Sequence, residues 1–319
     1  MSRYICKSKE TGTATNGNPW MRLTVTDKMG DIKAMMFNYT SLPQQIQDSL
    51  EEPQGKVFEI TGDIDQFNGE NQIKVKTISL SPDQSVQDLI PAIDHNYEQL
   101  QKVCKGLVGS IANEKYRTIV EKILYSPDIW ELFISKVAGY TMHHSKYGGL
   151  LQHSVGVAMA SRQLAQLYPD IDMSLVVAGS LLHDIGKCYC YTNFEEGLDY
   201  TDDGKFFDHI VLGIKILYDK TRDLDASYEK ELKQIEHIIV SHHGKLEFGS
   251  PKQPVTIEAE IVNKCDGLDA YMEVANNTIQ AAETAGFNKG FTKFLPRELY
   301  VHQTREARYP YYNVPNIKE

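Results

Sequence analysis

The sequence predicts two domains, a small all-β barrel followed by an all-α helical bundle. Three observations carry this. Segments of alternating polarity fill the first eighty or so residues. Helical spacing of apolar residues then takes over and persists almost to the end. The length, 319 residues, exceeds what one small core organises. Hydrophobic residues at 41% and charged residues at 24% place the chain among ordinary globular proteins rather than disordered ones. No apolar run is long enough to cross a bilayer, and the opening "MSRYICKSKETG" lacks the apolar stretch of a signal peptide. The five cysteines are odd in number and scattered, which suits a reducing compartment. The expectation is a cytoplasmic protein with no membrane part. The predicted boundaries are residues 1–82 for the barrel, 83–95 for a linker, 96–302 for the bundle and 303–319 for a tail.

The barrel elements follow in order. An opening strand runs near Tyr4 to Lys9. "PWMRLTVTD" (Pro19 to Asp27) alternates, with Met21, Leu23 and Val25 facing one side and Trp20, Arg22 and Thr24 the other. "NGNP" before it and "DKMGD" after it are turn signals. "DIKAMMF" (Asp31 to Phe37) gives a third strand, and "SLPQQIQDSL" (Ser41 to Leu50) has helical spacing. "KVFEITGDI" and "NQIKVKTISL" form the last two, joined by the turn-rich "DQFNGE". Three strands, a short helix and two strands is the order of an OB-fold, whose open face often binds oligonucleotides. Trp20, Arg22, Lys74 and Lys76 share the exposed parity, with Phe67 in a turn. Aromatic and basic groups on one face suit single-stranded nucleic acid. A solvated sheet face with one cross-strand aromatic is the competing reading.

Beyond the linker "SPDQSVQDLIPAID", seven segments carry helical periodicity, from "YEQLQKVCKGLVGSIANEKYRTIVEKIL" to "IEAEIVNKCDGLDAYMEVANNTI". Most of the ten histidines lie between His143 and His243. Five positions stand out: His153, the pair His183-Asp184, His209, the pair His242-His243, and Asp266. Each falls on a different predicted helix, and a bundle can aim such groups at one point. A lone buried histidine is usually a satisfied core residue, but five such positions on five successive helices read as a metal site. Imidazole and carboxylate donors without thiolate suit manganese, iron, cobalt, nickel or zinc. Cys188 and Cys190 are too close for a zinc knuckle and read as core packing. The donor count exceeds the need of one ion with an open position. It fits two ions bridged by Asp184, an arrangement that clamps a phosphate, activates water and stabilises the leaving oxygen. Gly186 is expected to let the chain turn. Lys187 either projects into a phosphate site or is a surface lysine following a helix. His144 either contacts phosphate or caps a helix.

The order His, His-Asp, His, His-His, Asp resembles the HD superfamily of metal-dependent phosphohydrolases, whose metal-binding domain is all-helical. More narrowly, "HHSKYGGLLQHS", "SLLHDIGK", "SHHGKLEFGSPKQP" and "CDGLDA" are similar to the YhaM-type 3′-to-5′ exoribonucleases. That family joins an N-terminal OB-fold to a C-terminal HD domain. The resemblance implies that His153, His183, Asp184 and Asp266 are metal ligands. It also implies further ligands of a two-metal site in His209 and His242, with His243, and a lysine next to phosphate in Lys187. The implied cofactor is divalent metal, manganese foremost. The implied substrate is single-stranded RNA, with single-stranded DNA as a further substrate, cut to nucleoside 5′-monophosphates. Self-association into a homo-oligomer is also implied. The chain departs from the family in starting almost inside the first barrel strand and in a tail without a match.

A net charge of −10 excludes a nucleic-acid coat protein with a broad basic face. It does not exclude a nuclease that holds its anionic substrate locally and releases product. One rival is a phosphodiesterase acting on a cyclic dinucleotide. "GKLEFGSP" after His243 lacks the Gly-Tyr-Pro element of that family. A nucleotide phosphohydrolase would leave the barrel unexplained. A non-catalytic OB-fold binding protein with a structural metal would not need so many donor positions.

Overall fold

The computed structural model describes residues 2–28, 30–67, 70–85, 89, 97–139, 146–193, 198–284, 286–292, 294–295 and 297–301. The chain divides into two units: Met1–Ala92 with Tyr191–Thr201, and Ile93–Cys190 with Asp202–Glu319. The linker expected at 83–95 is described only at 83–85 and 89, and the expected tail 303–319 lies outside the described residues.

The first unit is a closed barrel of five strands in the order β1-β2-β3-β5-β4, with β1 pairing back to β4. The strands are β1 (Ser2–Thr13), β2 (Pro19–Asp27), β3 (Gly30–Phe37), β4 (Val57–Phe67) and β5 (Glu70–Leu80). Only β3 and β5 pair in parallel. This is the OB-like topology read from the sequence. The alternation holds: Met21, Leu23 and Val25 are buried with Ala34, Met36, Phe58, Ile60 and Ile73 in the barrel core. Two elements differ from expectation. The segment Ser41 to Leu50 is not one helix, because Pro43 disfavours helical backbone at Leu42, which is extended at φ −66° and ψ 155°; Pro43 caps α1 (Gln44–Ser49), after a 3-10 turn at Tyr39–Ser41. Phe67 is not in a turn; it ends β4, paired with Glu70 of β5.

The second unit is helical: α2 (Tyr97–Gly109), α3 (Glu114–Leu124), α4 (Pro127–Ser135), α5 (Gly149–Ala165), α6 (Met173–Leu182), α7 (Lys187–Cys190), α8 (Asp202–Thr221), α9 (Glu229–Ser241) and α10 (Ile257–Thr284). The long run beginning at Tyr97 breaks into α2 and α3. Asn113 caps α3, its side-chain oxygen accepting from the Lys115 amide at 2.9 Å. Every residue of α6 from Ser174 to Leu182 is buried, so "MSLVVAGSLL" shows no polar face because it has no solvent face. It packs against α5, α3, α9 and α10. That central position lets the residues just beyond α6 meet side chains from four other helices. A two-stranded ribbon, β6 (Lys289–Gly290) with β7 (Leu299–Tyr300), follows α10 and was not foreseen. Among the described residues no helix is long and apolar enough to cross a membrane.

Leu181 is fully buried in α6, whereas Leu167 is 73% exposed. Leu181→Ala should destabilise the helical unit by about 2–5 kcal/mol, and Leu167→Ala should stay near wild type. Denaturant midpoints of the two variants check this; equal shifts would contradict the placement of α6 at the centre.

Candidate metal centre

The structure brings all five sequence-predicted positions together. His153 comes from the first half of α5, and His183 and Asp184 follow directly on α6. His209 lies on α8, His242 and His243 follow directly on α9, and Asp266 lies on α10. His153 Nε2 is 3.1 Å from Asp266 Oδ1, 3.2 Å from His183 Nε2 and 3.3 Å from Asp184 Oδ2. The other Asp184 oxygen, Oδ1, is 3.5 Å from His209 Nε2 and 3.5 Å from His242 Nε2. Two donor groups result, His153-His183-Asp266 and His209-His242-His243, each with ligand atoms within 4.8 Å of one another. Asp184 turns one oxygen toward each.

Local structure explains why the histidines sit at helix ends. A helix leaves its last carbonyls without partners. His183 Nδ1 donates to the carbonyl of Ser180 (2.7 Å), and His242 Nδ1 donates to that of Ile239 (2.8 Å). Both rings bond back three residues and push Nε2 the other way. His153 Nδ1 donates to Asp269 Oδ2 and His209 Nδ1 to Asp208 Oδ1, at 2.8 and 2.7 Å. His243 Nδ1 donates to the Phe248 carbonyl at 2.8 Å. In every ring the outer nitrogen is committed, which fixes the ring's orientation and, in a neutral ring, leaves the inner nitrogen as an acceptor.

Asp208 and Asp269 escaped the sequence reading. Asp269 was legible as the i+3 partner of Asp266 in "CDGLDA", on the same face of α10. Asp208 was not: its backbone, at φ 55° and ψ 170°, leaves helical geometry inside α8. Such a conformation costs about 1–3 kcal/mol in a non-glycine residue. Its side chain recovers two bonds to His209, one to the amide (2.6 Å) and one to the ring. Gly186 is needed for a different reason than turning. A Cβ there would lie 1.8 Å from the His209 carbonyl oxygen and 2.5 Å from the Gly213 amide. The close approach holds the turn after Asp184 against α8. Lys187 is not a surface lysine; it is buried, and its ammonium donates to Asp184 Oδ2 at 2.6 Å. His144 lies outside the described residues. Cys188 and Cys190 are buried free thiols in the core, and burial pushes Cys190 up to about 12.

The electrostatics divide the two groups. Burial works against a charged His153, but the carboxylates of Asp184, Asp266 and Asp269 outweigh it and hold the imidazolium well above the usual range. Burial pushes His209, His242 and His243 down, so these stay neutral. Burial also works against a charged Asp184, but Lys187, His183 and His153 hold its carboxyl well below the usual carboxylate range. Asp184 Oδ1, His209 Nε2 and His242 Nε2 are buried with no hydrogen-bond partner. Three buried acceptors aimed at each other are costly unless a cation lies among them. The donor set, all nitrogen and carboxylate oxygen, fits a divalent ion. The centre opens on a cavity of about 960 Å³ whose wall includes Asp184, Lys187, His243 and Asp266.

On the barrel, Arg22, Met35 and Lys74 stand side by side on one outer row of β2, β3 and β5. Lys76 lies two residues further along β5, in an ion pair with Asp63. Arg22 pairs with Glu10. The Trp20 ring lies against Gly12 rather than standing out, with the Arg22 guanidinium 5.9 Å from its centroid. Its cross-strand partner Phe37 is 55% exposed and adds an aromatic that the sequence reading passed over. Phe67 is also exposed.

Residues 150–271 match the family model of the HD domain. Along nearly its whole length the chain is similar to proteins named 3′-5′ exoribonuclease YhaM. It is 28% identical to that of Geobacillus sp. (strain WCH70), over 93% of this chain and 90% of the relative. It is 29% identical to that of Oceanobacillus iheyensis, over 93% and 92%. It is 27% identical to that of Bacillus subtilis (strain 168), again over 93% and 92%. The chain therefore carries an HD domain at residues 150–271 and is similar along most of its length to the YhaM-type exoribonucleases. No solved structure gives a significant match.

Metal binding requires neutral imidazole, so the proton held on His153 must leave when the first group loads. Manganese affinity of the metal-free protein should rise from pH 6 to pH 8 and release a proton from that group. The His209-His242-His243 group should bind with little pH dependence. Calorimetry in two buffers of different ionisation enthalpy reads this directly; a flat affinity with no proton release would contradict it.

Proposed function

We propose that the chain is a metal-dependent 3′-to-5′ exoribonuclease that hydrolyses single-stranded RNA, and also single-stranded DNA, to nucleoside 5′-monophosphates. The observation that carries this is Asp184: one buried carboxylate whose two oxygens face two separate groups of imidazoles at the wall of an open cavity. Similarity over 93% of the chain to proteins named exoribonucleases supports the substrate class over a cyclic dinucleotide.

His153, His183 and Asp266 would hold one ion and His209, His242 and His243 a second, with Asp184 shared. When bound, divalent ions supply Lewis-acid polarisation of the phosphoryl group and activation of water. Lys187 keeps Asp184 ionised, and at the cavity wall its ammonium would also hold a phosphate oxygen. Asp208 and Asp269 orient the rings they bond. The outer row of the barrel, with Trp20, Arg22, Lys74 and Lys76 and the exposed Phe67, would bind the upstream strand by stacking and charge. Manganese is the ion expected first, and a homo-oligomer in the cytoplasm is the expected form.

A time course on 5′-labelled single-stranded RNA with manganese should show shortening from the 3′ end. Asp184→Ala and the isosteric Asp184→Asn should slow it by more than about 100-fold, since loss even of an outer partner of a metal ligand costs about 10–100-fold. RNA that is bound but never shortened by the wild-type protein would favour the non-catalytic binding protein instead. For the barrel face, Arg22→Ala combined with Lys74→Ala should reduce the salt dependence of RNA affinity. The expected fall in slope is about 1.4 in log K against log salt, the value for two lost phosphate contacts to a single strand. An unchanged slope would remove this face from the binding path.

A further inference from the structure

We propose that the ring of Phe248 is the platform on which the 3′-terminal nucleobase stacks while its phosphodiester lies at the metal centre. This rests on the exoribonuclease reading of the same cavity.

Phe248 is 61% exposed, yet it lines the cavity whose wall also holds Asp184, Lys187 and Asp266. Among the described residues lining that cavity it supplies the one phenyl ring. No core cluster of the described residues uses it. A large apolar ring left in water at the mouth of a polar centre is a surface waiting for a flat partner.

The ring is also held in place. The loop after His243 folds into a 3-10 turn at Leu246–Phe248, closed by Gly249 in the left-handed region at φ 84°. The Phe248 amide donates to the Lys245 carbonyl (3.0 Å), and the Phe248 carbonyl accepts from His243 Nδ1 (2.8 Å). Gly244, at φ 76°, lets the chain leave α9 tightly against Asn263, whose side-chain amide donates to the His242 carbonyl (2.6 Å). The backbone carrying the ring is therefore bonded to a candidate metal ligand, which ties the base of the Phe248 side chain to the metal centre. That is what a site needs if it is to place the last phosphodiester by gripping the last base.

The charges nearby point the same way. Lys245 Nζ lies 5.1 Å from the ring centroid, and Lys245 and Lys264 line the cavity. Both are already paired, Lys245 with Glu247 at 3.2 Å and Lys264 with Glu260 at 3.0 Å. Their net pull on a phosphate is weak, which leaves stacking as the main anchor. Every base has a π-face, so a phenyl platform accepts any sequence but not a missing base.

The test compares two oligoribonucleotides that differ only at the 3′ end, one with an ordinary nucleotide and one with an abasic residue. With manganese, the wild-type protein should remove the ordinary end with about tenfold higher kcat/KM, in the range of one base stack. Phe248→Ala should bring that ratio near one by raising KM on the ordinary end, leaving the abasic end unchanged. Phe248→Trp should keep the preference. A second readout needs no turnover: adenosine 5′-monophosphate should bind the manganese-loaded protein about tenfold more tightly than ribose 5-phosphate, and Phe248→Ala should erase the difference. If Phe248→Ala retains both preferences while RNA is shortened, the platform is wrong and the exoribonuclease reading stands. If the wild-type protein shortens neither RNA, that reading fails, and the two monophosphates still decide whether Phe248 holds a base.

Discussion

A buried carboxylate organises the helical unit. Asp184 is 1% exposed, and an ionised carboxylate taken that far from water costs several kcal/mol unless it is surrounded by compensating groups. Lys187 and the imidazoles of His153 and His183 supply that surrounding at Oδ2. The requirement explains features that otherwise look unrelated. Gly186 must lack a side chain so that the turn after Asp184 can press against His209. Lys187 is buried against the usual preference of lysine because its charge is needed at Asp184. The helix α6, buried from Ser174 to Leu182, delivers the pair His183-Asp184 to a place where four other helices can answer it.

Compensation is incomplete by design of the chemistry, not by poor packing. Each histidine has its outer nitrogen bonded to a carbonyl or carboxylate, so none of the rings can rotate to satisfy Asp184 Oδ1 by itself. The strained backbone of Asp208 shows how strongly one of these orientations is enforced, since a relaxed helical residue there would release the His209 ring. A cluster that spends backbone energy to keep acceptors converging, and leaves three of them unpartnered, is preorganised for a cation. A proton held on His153 would have to leave before that ring could serve as a metal ligand.

Much of this was legible in the sequence because periodicity and chemistry coincide. The alternation in "PWMRLTVTD" gave β2 its full extent, and five His or Asp positions on successive helices gave the centre. What escaped had no periodic signal. Asp208 is one residue before a histidine, a common pairing that acquires meaning only from its non-helical backbone. Phe37 reads as the last apolar residue of a strand, and parity alone could not tell that its ring stays exposed beside Trp20. Phe67 was misplaced because "DQFNGE" is rich in turn residues, yet the β4–β5 ladder runs through its first half. The two-stranded ribbon after α10 rests on two residues from each strand, too few to leave a pattern.

A chain with net charge −10 must handle a polyanion by local means. Four of the described cations near these surfaces each carry a carboxylate: Arg22 with Glu10, Lys76 with Asp63, Lys245 with Glu247 and Lys264 with Glu260. Paired cations offer hydrogen bonds without a strong long-range field, so attraction to nucleic acid at a distance is weak and salt-sensitive. On the proposed reading, affinity would come from contact, through exposed rings that accept a base and through ions that the centre would bind. Weak general attraction would have a benefit for an exonuclease that must release each product. On the proposed reading, a product monophosphate held by one stacked base and a metal centre would leave faster than one held by a broad basic surface.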